Sequence, residues 1–253
     1  MLSRLIAAGL IVLGMANLAS AKAPTKPPLK ILWCTGGGFH DYKGLQPILT
    51  EAIQKYAATP IEFTVSTDPK DWAKNDFADK YDAIVLFFSI HDKAGKPVVD
   101  NIAAAIHAGK PALVIHGTLH SYRELGPDRD GYCEAIGLTS VRHDKAKAIA
   151  TKKVSDHTIL RDWPGDWKTS RDELYENVKF WPNAKPLLTA YSDTSKKDQV
   201  VAWVNQYGKG RVFGTTLGHG PPTTDMESYH KLLAHGLLWV LDLDGKDEKA
   251  RKP

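Results

Sequence analysis

The sequence predicts an α/β protein with a doubly wound, mainly parallel sheet and antiparallel strands added in its second half. Apolar runs of strand length alternate with helical patterns through the first half, as they do in chains built from strand–helix–strand units. Two of these runs are almost unbroken, which indicates strands covered on both faces. Beyond residue 146, polar and apolar residues alternate, which favours half-exposed antiparallel strands.

Four buried strands are predicted in the first half, over residues 29–35, 61–67, 81–89 and 111–116. A helix is predicted near residues 44–57, after three consecutive glycines. A second helix has apolar residues at helical spacing from Val98 to Ile106, and the stretch "AGKP" ends it.

The second half contains five further strand candidates and a helix. The strand candidates are "AKAIATKKV" (146–154), "ELYENVKF" (173–180), "KPLLTAY" (185–191), "VVAWVNQYG" (200–208) and "GRVFGTTLG" (210–218). The last two are joined by a tight turn at Gly208-Lys209-Gly210. An amphipathic helix is predicted from about Met226 to Leu241.

The two ends of the chain are set apart from the domain by composition. Residues 1–21 carry one positive charge, a short apolar run and the small-x-small pattern Ala19-Ser20-Ala21, which predicts a cleaved signal peptide. A Pro/Lys linker (22–29), one domain (30–243) and a charged tail (244–253) follow. We therefore expect a secreted or periplasmic protein without a membrane span after cleavage.

Charge and cysteine content exclude some function classes. The net charge of +4 comes with several lysines near the two ends, and basic residues do not alternate with aromatic ones as in single-strand binders, so we expect no nucleic-acid partner. Cys34 lies in a predicted strand and Cys133 in a predicted helix. Two cysteines do not make a disulfide scaffold, and we interpret them as small buried residues.

Histidines follow four of the predicted strands. His40, His91, His116 and His219 each lie at or shortly after the end of a predicted strand. A single histidine is more often structural, but ligands of open α/β sheets bind beyond the carboxyl ends of the strands. This distribution therefore predicts a site at that edge of the sheet.

The glycine triplet Gly36-Gly37-Gly38 resembles a phosphate-binding loop but lacks its Lys-Ser/Thr and its G-x-G-x-x-G spacing. We interpret Gly37 and Gly38 as backbone that makes room for a ligand.

Six motifs together resemble the ThuA-like proteins, the trehalose-utilisation group. They occur in the family's order over roughly residues 30–241 and are "ILWCTGGGFHD", "ALVIHG", "RHD", "SDHTIL", "DELY" and "VAWVNQYGKGRVFGTTLGH". The group is similar in fold to class I glutamine amidotransferases, so the resemblance implies a flavodoxin-like sheet. It also implies a carbohydrate ligand, although a fold does not fix a reaction.

The resemblance implies that the turn after the fourth strand corresponds to the nucleophile elbow of amidotransferases, which carries Cys or Ser. In this chain His116 falls at that turn. Cys34 and Cys133 lie elsewhere, so we expect no cysteine nucleophile. An imidazole at the elbow can act as a general base or as a metal ligand.

His40, His116, His219 and Glu173 are the predicted catalytic residues, and they are expected to converge. Two interpretations stay open. The first, which the sequence favours, is metal-free acid–base chemistry by histidine and carboxylate groups. The second is a divalent metal such as Zn²⁺ held by His40, His116 and His219. Asp41 or Asp172 could then orient a ring.

A small carbohydrate is the expected ligand. Aromatic residues in loops rich in glycine or histidine could contact a sugar ring, and polar neighbours could bind its hydroxyls. The predicted substrate-binding residues are Gly37, Gly38, Asp41, Tyr42, His91, His120, Tyr122 and Tyr175.

The hypothesis for function is an exported enzyme of hydrolase, lyase or isomerase type that acts on a carbohydrate or keto-sugar derivative. Two alternatives remain: a non-catalytic periplasmic sugar-binding or accessory module, and a zinc-dependent hydrolase.

Overall fold

The computed structural model describes residues 27–244. The predicted signal peptide (1–21), residues 22–26 of the linker and all of the charged tail beyond residue 244 lie outside the described residues. Between residues 27 and 244, no helix has the length and apolar character needed to cross a membrane.

The described residues form twelve strands and six helices. The strands are β1 (Leu29–Gly37), β2 (Ile61–Ser66), β3 (Ala83–Ser89), β4 (Ala112–Ile115), β5 (Leu138–Thr139), β6 (Lys147–Ala150), β7 (Lys152–Lys153), β8 (Lys168–Asp172), β9 (Lys179–Phe180), β10 (Lys185–Ser192), β11 (Lys197–Tyr207) and β12 (Gly210–Thr215). The helices are α1 (Tyr42–Ala57), α2 (Pro69–Trp72), α3 (Lys96–Ala108), α4 (Asp130–Ile136), α5 (Pro221–Thr224) and α6 (Glu227–Val240).

An eight-stranded sheet organises the domain, in the order β2-β1-β3-β4-β12-β11-β10-β7. The first five strands are parallel, and β11, β10 and β7 extend the sheet antiparallel to their neighbours. The predicted fold class, a flavodoxin-like, mainly parallel sheet with antiparallel additions, is confirmed. Because β1, β4 and β12 are parallel, their carboxyl ends lie at the same edge.

Both faces of the sheet are covered, which explains the unbroken apolar runs. Trp33 and Phe87 face the layer that contains α1 and α6, whereas Cys34 and Phe88 face the layer of α3 and α4. Side chains of adjacent strand residues point to opposite faces, so every position of a doubly covered strand must be apolar. Burial of each large side chain stabilises the fold by about 1.5–3 kcal/mol.

Two predicted strands are different in the structure. The segment 173–180 is not a strand: β8 ends at Asp172, and only an isolated bridge between His143 and Tyr175 and the two-residue β9 follow. Side-chain bonds accompany the backbone bonds here: the Glu176 N–H donates to the Arg142 carbonyl at 3.0 Å, and the backbone N–H of Asn177 donates to Gln199 Oε1 at 2.7 Å. The segment 146–154 is split between β6, which pairs with β8, and β7, which pairs with β10.

Candidate active site

Three strand ends bring three imidazole rings together. His40 follows β1, His116 follows β4 directly, and His219 follows β12. The ring centroids lie 4.7 Å apart for His40 and His116, 5.0 Å for His40 and His219, and 5.5 Å for His116 and His219. These three residues therefore share one place at the carboxyl edge of the sheet, as the sequence predicted.

His116 occupies a sharp turn between β4 and a short 3₁₀ segment (His116–His120). Its φ of 44° lies in the left-handed region, which is uncommon for a residue other than glycine and is frequent at functional turns. The ring is fully buried. Nδ1 lies 2.6 Å from the carbonyl oxygen of Thr216, which can only accept, so Nδ1 carries the proton. The lone pair of Nε2 consequently points away from this anchor.

Glu173 arrives from the irregular segment after β8, and its two oxygens face different histidines. Oε2 lies 3.5 Å from His116 Nε2 and 3.4 Å from His219 Nδ1. Oε1 lies 3.6 Å from His143 Nε2. Burial alone would raise the pKa of Glu173, but the interactions with His116 and His219 outweigh burial and hold that pKa well below its usual range. The carboxylate in turn raises the pKa of His219.

Asp172 fixes two of these segments to each other. Its fully buried carboxylate accepts hydrogen bonds from the backbone N–H of Gly218 at 2.9 Å and of His219 at 3.2 Å. It also accepts from the Thr223 hydroxyl at 2.6 Å and from the backbone N–H of Glu173 at 2.7 Å. Asp172 was expected to orient an imidazole ring, but it holds the backbone of two site residues instead.

The four predicted catalytic residues form a cluster with the geometry of a metal site. His40, His116, Glu173 and His219 each offer one ligand atom, and these atoms lie within 4.8 Å of one another. The buried Nδ1 of His40 has no hydrogen-bond partner. Burial, and then the neighbouring His116, lowers the pKa of His40 to about 3, so the ring is neutral and can act as a ligand.

A pocket of about 270 Å³ opens onto this cluster. Its lining comprises Phe39, His40, Ser89, His91, His120, Arg123, His143, Glu173 and Tyr175. A larger cavity of about 670 Å³ lies beside α2 and contains none of the predicted site residues. The smaller pocket is the candidate active site because the titratable groups converge there.

One wall of the pocket consists of three nearly parallel rings, those of His120, His143 and Tyr175. The rings of His120 and Tyr175 lie parallel at 3.8 Å, and His143 lies 5.8 Å from His120. His120 Nε2 contacts the Ser140 hydroxyl at 2.9 Å, and the Tyr175 hydroxyl lies 3.3 Å from His116 Nε2. Burial lowers the pKa of His120 to about 2, so the ring of His120 is uncharged.

The other predicted binding residues have different positions. His91 lines the pocket and pairs with Glu124 at 2.7 Å. Gly37, Asp41 and Tyr42 line a neighbouring cavity of about 470 Å³ on the far side of His40. Asp41 was also expected to orient a ring, but its carboxylate accepts from Gly44 N–H at 2.9 Å and caps the start of α1.

The binding prediction for Tyr122 needs correction, and Gly37 and Gly38 also contact the end of β3. Tyr122 is fully buried in the layer of α3 and α4, where its ring packs on Gly95, so it cannot contact a substrate. Gly37 makes room for β3, since a Cβ there would lie 2.0 Å from the carbonyl oxygen of Ser89. The N–H of Gly38 donates to the same oxygen at 3.0 Å.

Sequence reasoning did not select four pocket residues, which are Phe39, Ser89, Arg123 and His143. His143 belongs to the motif "RHD", so the family resemblance could have identified it. The motif did not indicate that His143 contacts Glu173. Phe39 lies between Gly38 and His40, and its exposure followed from no sequence pattern.

The comparisons with known proteins agree with the fold. A ThuA-like protein from Parabacteroides merdae ATCC 43184 has 17% identity and a TM-score of 0.67, over 85% of this chain and 90% of that one. A ThuA-like protein from Bacteroides uniformis ATCC 8492 has 14% identity and a TM-score of 0.69, over 89% and 96%. A GMP synthase subunit from Thermoplasma acidophilum has 11% identity and a TM-score of 0.57, over 88% and 98%.

At these identities the solved structures support the fold alone. No curated protein matches the chain significantly. The model of the ThuA family, described as trehalose utilisation, matches residues 31–240, which include the whole cluster and its pocket. The chain therefore belongs to the ThuA family.

Proposed function

We propose that this chain is an exported, metal-dependent enzyme that acts on a carbohydrate or keto-sugar derivative. His40, His116, Glu173 and His219 bind a divalent first-row metal. The observation that carries the proposal is the convergence of four ligand atoms within 4.8 Å beside a pocket that His40 and Glu173 line. Export rests on the signal-like composition of residues 1–21.

The distances within the cluster favour ligand roles over direct acid–base pairing. An acid–base pair is separated by about 2.6–3.2 Å, whereas Glu173 Oε2 lies 3.4–3.5 Å from the nitrogens of His219 and His116. Two ligand atoms bonded to one metal ion at about 2.0–2.1 Å lie at most about 4.2 Å apart, so the separations of 3.4–3.5 Å suit shared coordination. The Nδ1–H···O=C bond of His116 also matches the way proteins fix metal-binding imidazoles.

Three imidazoles and one carboxylate suit zinc and its neighbours in the first transition row. A five- or six-coordinate ion would keep one or two positions for substrate or water on the pocket side. The metal would polarise a sugar carbonyl or lower the pKa of bound water.

His143 is the group suited to proton transfer beside the metal. Its Nδ1 is 2.8 Å from the carbonyl oxygen of Asp144 and carries a proton, so Nε2 can take up and release one next to Glu173 Oε1 at 3.6 Å. A cysteine nucleophile is not part of this proposal because Cys34 and Cys133 are buried. The family description, trehalose utilisation, supports a carbohydrate substrate.

The test is metal analysis of protein purified without a histidine tag, followed by assays on trehalose and on its oxidised keto derivative. We expect about one metal ion per chain, turnover of at least one of these sugars, and loss of turnover after chelation with recovery on re-addition. Glu173→Gln should lose the ion. Glu124→Gln, which removes a rim carboxylate paired with His91, is the matched control and should keep it.

A wild-type protein without metal, or a Glu173→Gln variant that keeps a full equivalent, would contradict the metal centre. Metal binding without turnover of either sugar would instead support a binding module.

A further inference from the structure

Phe39 presents its ring to solvent at the mouth of the pocket. Its side chain is 77% exposed, the largest value for a large hydrophobic residue in the described part of the chain. The ring lies 5.2 Å from that of His91, which Glu124 holds at 2.7 Å. A bulky apolar side chain in this position gains little from burial, so folding stability does not account for it.

The backbone at Phe39 is also unfavourable for its side chain. Its φ of 75° lies in the left-handed region, where an aromatic residue is an outlier. Such conformations cost free energy and persist where the surrounding structure enforces them, often at ligand sites.

The surrounding structure does enforce this turn. The Gly38 N–H bonds to the Ser89 carbonyl at 3.0 Å and ties the end of β1 to the end of β3. His40, the next residue, is held at the cluster by its contacts with His116 and His219. Phe39 is therefore fixed between two anchored residues, with its ring at the pocket mouth.

We infer that the ring of Phe39 is the platform on which the pyranose ring of the substrate stacks. The weakly positive C–H groups on one face of a pyranose pack favourably on the negative face of an aromatic ring. A sugar on this platform would direct its oxygens towards the cluster, since His40 follows Phe39 directly and both line the same pocket. The inference rests on the proposed function and names the part of the substrate that this site recognises.

The test is calorimetric titration of trehalose into metal-loaded protein carrying Phe39→Gly, Phe39→Trp or Tyr191→Ala. Phe39→Gly removes the platform and places at φ 75° a residue that adopts this angle freely, so we expect binding at least 10-fold weaker with no drop in thermal midpoint. Phe39→Trp keeps a ring and should bind within about threefold of the wild type. Tyr191 is 55% exposed outside the pocket lining, so Tyr191→Ala is the matched control and should bind within about twofold.

Each outcome separates the platform from the metal centre. Binding by Phe39→Gly equal to that of the wild type would overturn the platform while the metal centre and turnover remain. A wild-type protein that binds metal but neither trehalose nor methyl α-glucopyranoside would overturn the platform and the sugar substrate together. Equal weakening in Phe39→Gly and Phe39→Trp would also overturn stacking, because the second variant retains an aromatic face.

Discussion

Two groups of rings lie at the same edge of the sheet and differ in orientation. In the ligand group, His40, His116 and His219, the ring planes cross at 66° to 84°. In the wall group, His120, His143 and Tyr175, the planes lie within 4° to 25° of parallel.

The angle between ring planes distinguishes metal-ligand residues from wall residues better than the distance between the rings does. The nitrogen lone pairs of imidazole lie in the ring plane, so crossed rings can direct them to one point, whereas stacked rings direct them outward. In the wall group His120 Nε2 contacts Ser140 and His143 Nδ1 contacts the Asp144 carbonyl, and only His143 Nε2 faces the cluster, at Glu173 Oε1. The predicted functional histidines were chosen by position along the chain, and orientation now divides them into two roles.

The largest expected effect comes from His116→Ala compared with His120→Ala. Both residues are buried and lie four positions apart, but only His116 belongs to the ligand group. We expect His116→Ala to lose the metal and at least about 10³-fold in kcat/KM. His120→Ala should keep the metal and lose less than about 10-fold. Metal content and steady-state kinetics check both, and a His116→Ala variant with a full metal equivalent would remove the basis of the comparison.

His143 belongs to the wall group, but its Nε2 faces Glu173. A variant at this position therefore tests whether the two groups have separate roles. If His143 transfers a proton, His143→Gln should keep the metal and lower kcat about 10²-fold with little change in KM. Kinetics of the metal-loaded variant check this. His91→Gln is the control, since His91 lines the pocket but pairs with Glu124. Loss of metal from His143→Gln would move His143 into the ligand group.

Asp172 tests whether the ligand group depends on its backbone support. Asp172→Asn leaves every ligand in place but weakens the bonds to Gly218, His219 and Thr223. We expect about tenfold weaker metal affinity and a stability loss of about 2 kcal/mol, or about 4–8 °C in Tm. Asp144→Asn, which alters a buried carboxylate bonded to Ser192, should lower Tm without changing metal affinity. Equal metal affinity in Asp172→Asn and wild type would argue against the positioning role.

The ligand group was predictable because the topology of a parallel sheet determines it. Apolar runs of strand length identified β1 and β4, and the residues just past their ends had to share an edge. His219 followed in the same way from β12. Glu173 was found through the "DELY" motif, although the strand expected there is absent.

The wall group and the residues at the pocket mouth were predicted less well, because side-chain hydrogen bonds help to determine the course of the backbone there. Between residues 172 and 178, side-chain bonds of Asn177 and Asp172 accompany irregular backbone pairing, and side-chain bonds leave no periodic signal. Tyr122 was wrongly chosen for its loop context, since the left-handed turn at φ 54° leaves its ring in the core. At Phe39 a similar turn leaves the ring in solvent. The sequence pattern alone does not distinguish these two turns.

The smallest expected effect is that of removing the thiols of Cys34 and Cys133. If these thiols were reactive, they would add to the ligand group and the wall group as a third set of reactive groups. Cys34 and Cys133 are fully buried in the layer of α3 and α4 and line none of the pockets near the cluster. Burial raises the pKa of both thiols, which keeps them protonated and unreactive at neutral pH. We therefore expect Cys34→Ala to retain activity within about twofold, and native protein to retain activity after exposure to iodoacetamide. Unfolded protein is the control and should alkylate at both positions. If alkylation of the native protein abolished activity, a thiol would have to reach the substrate, and imidazoles and carboxylates could no longer be the only reacting groups in the pocket.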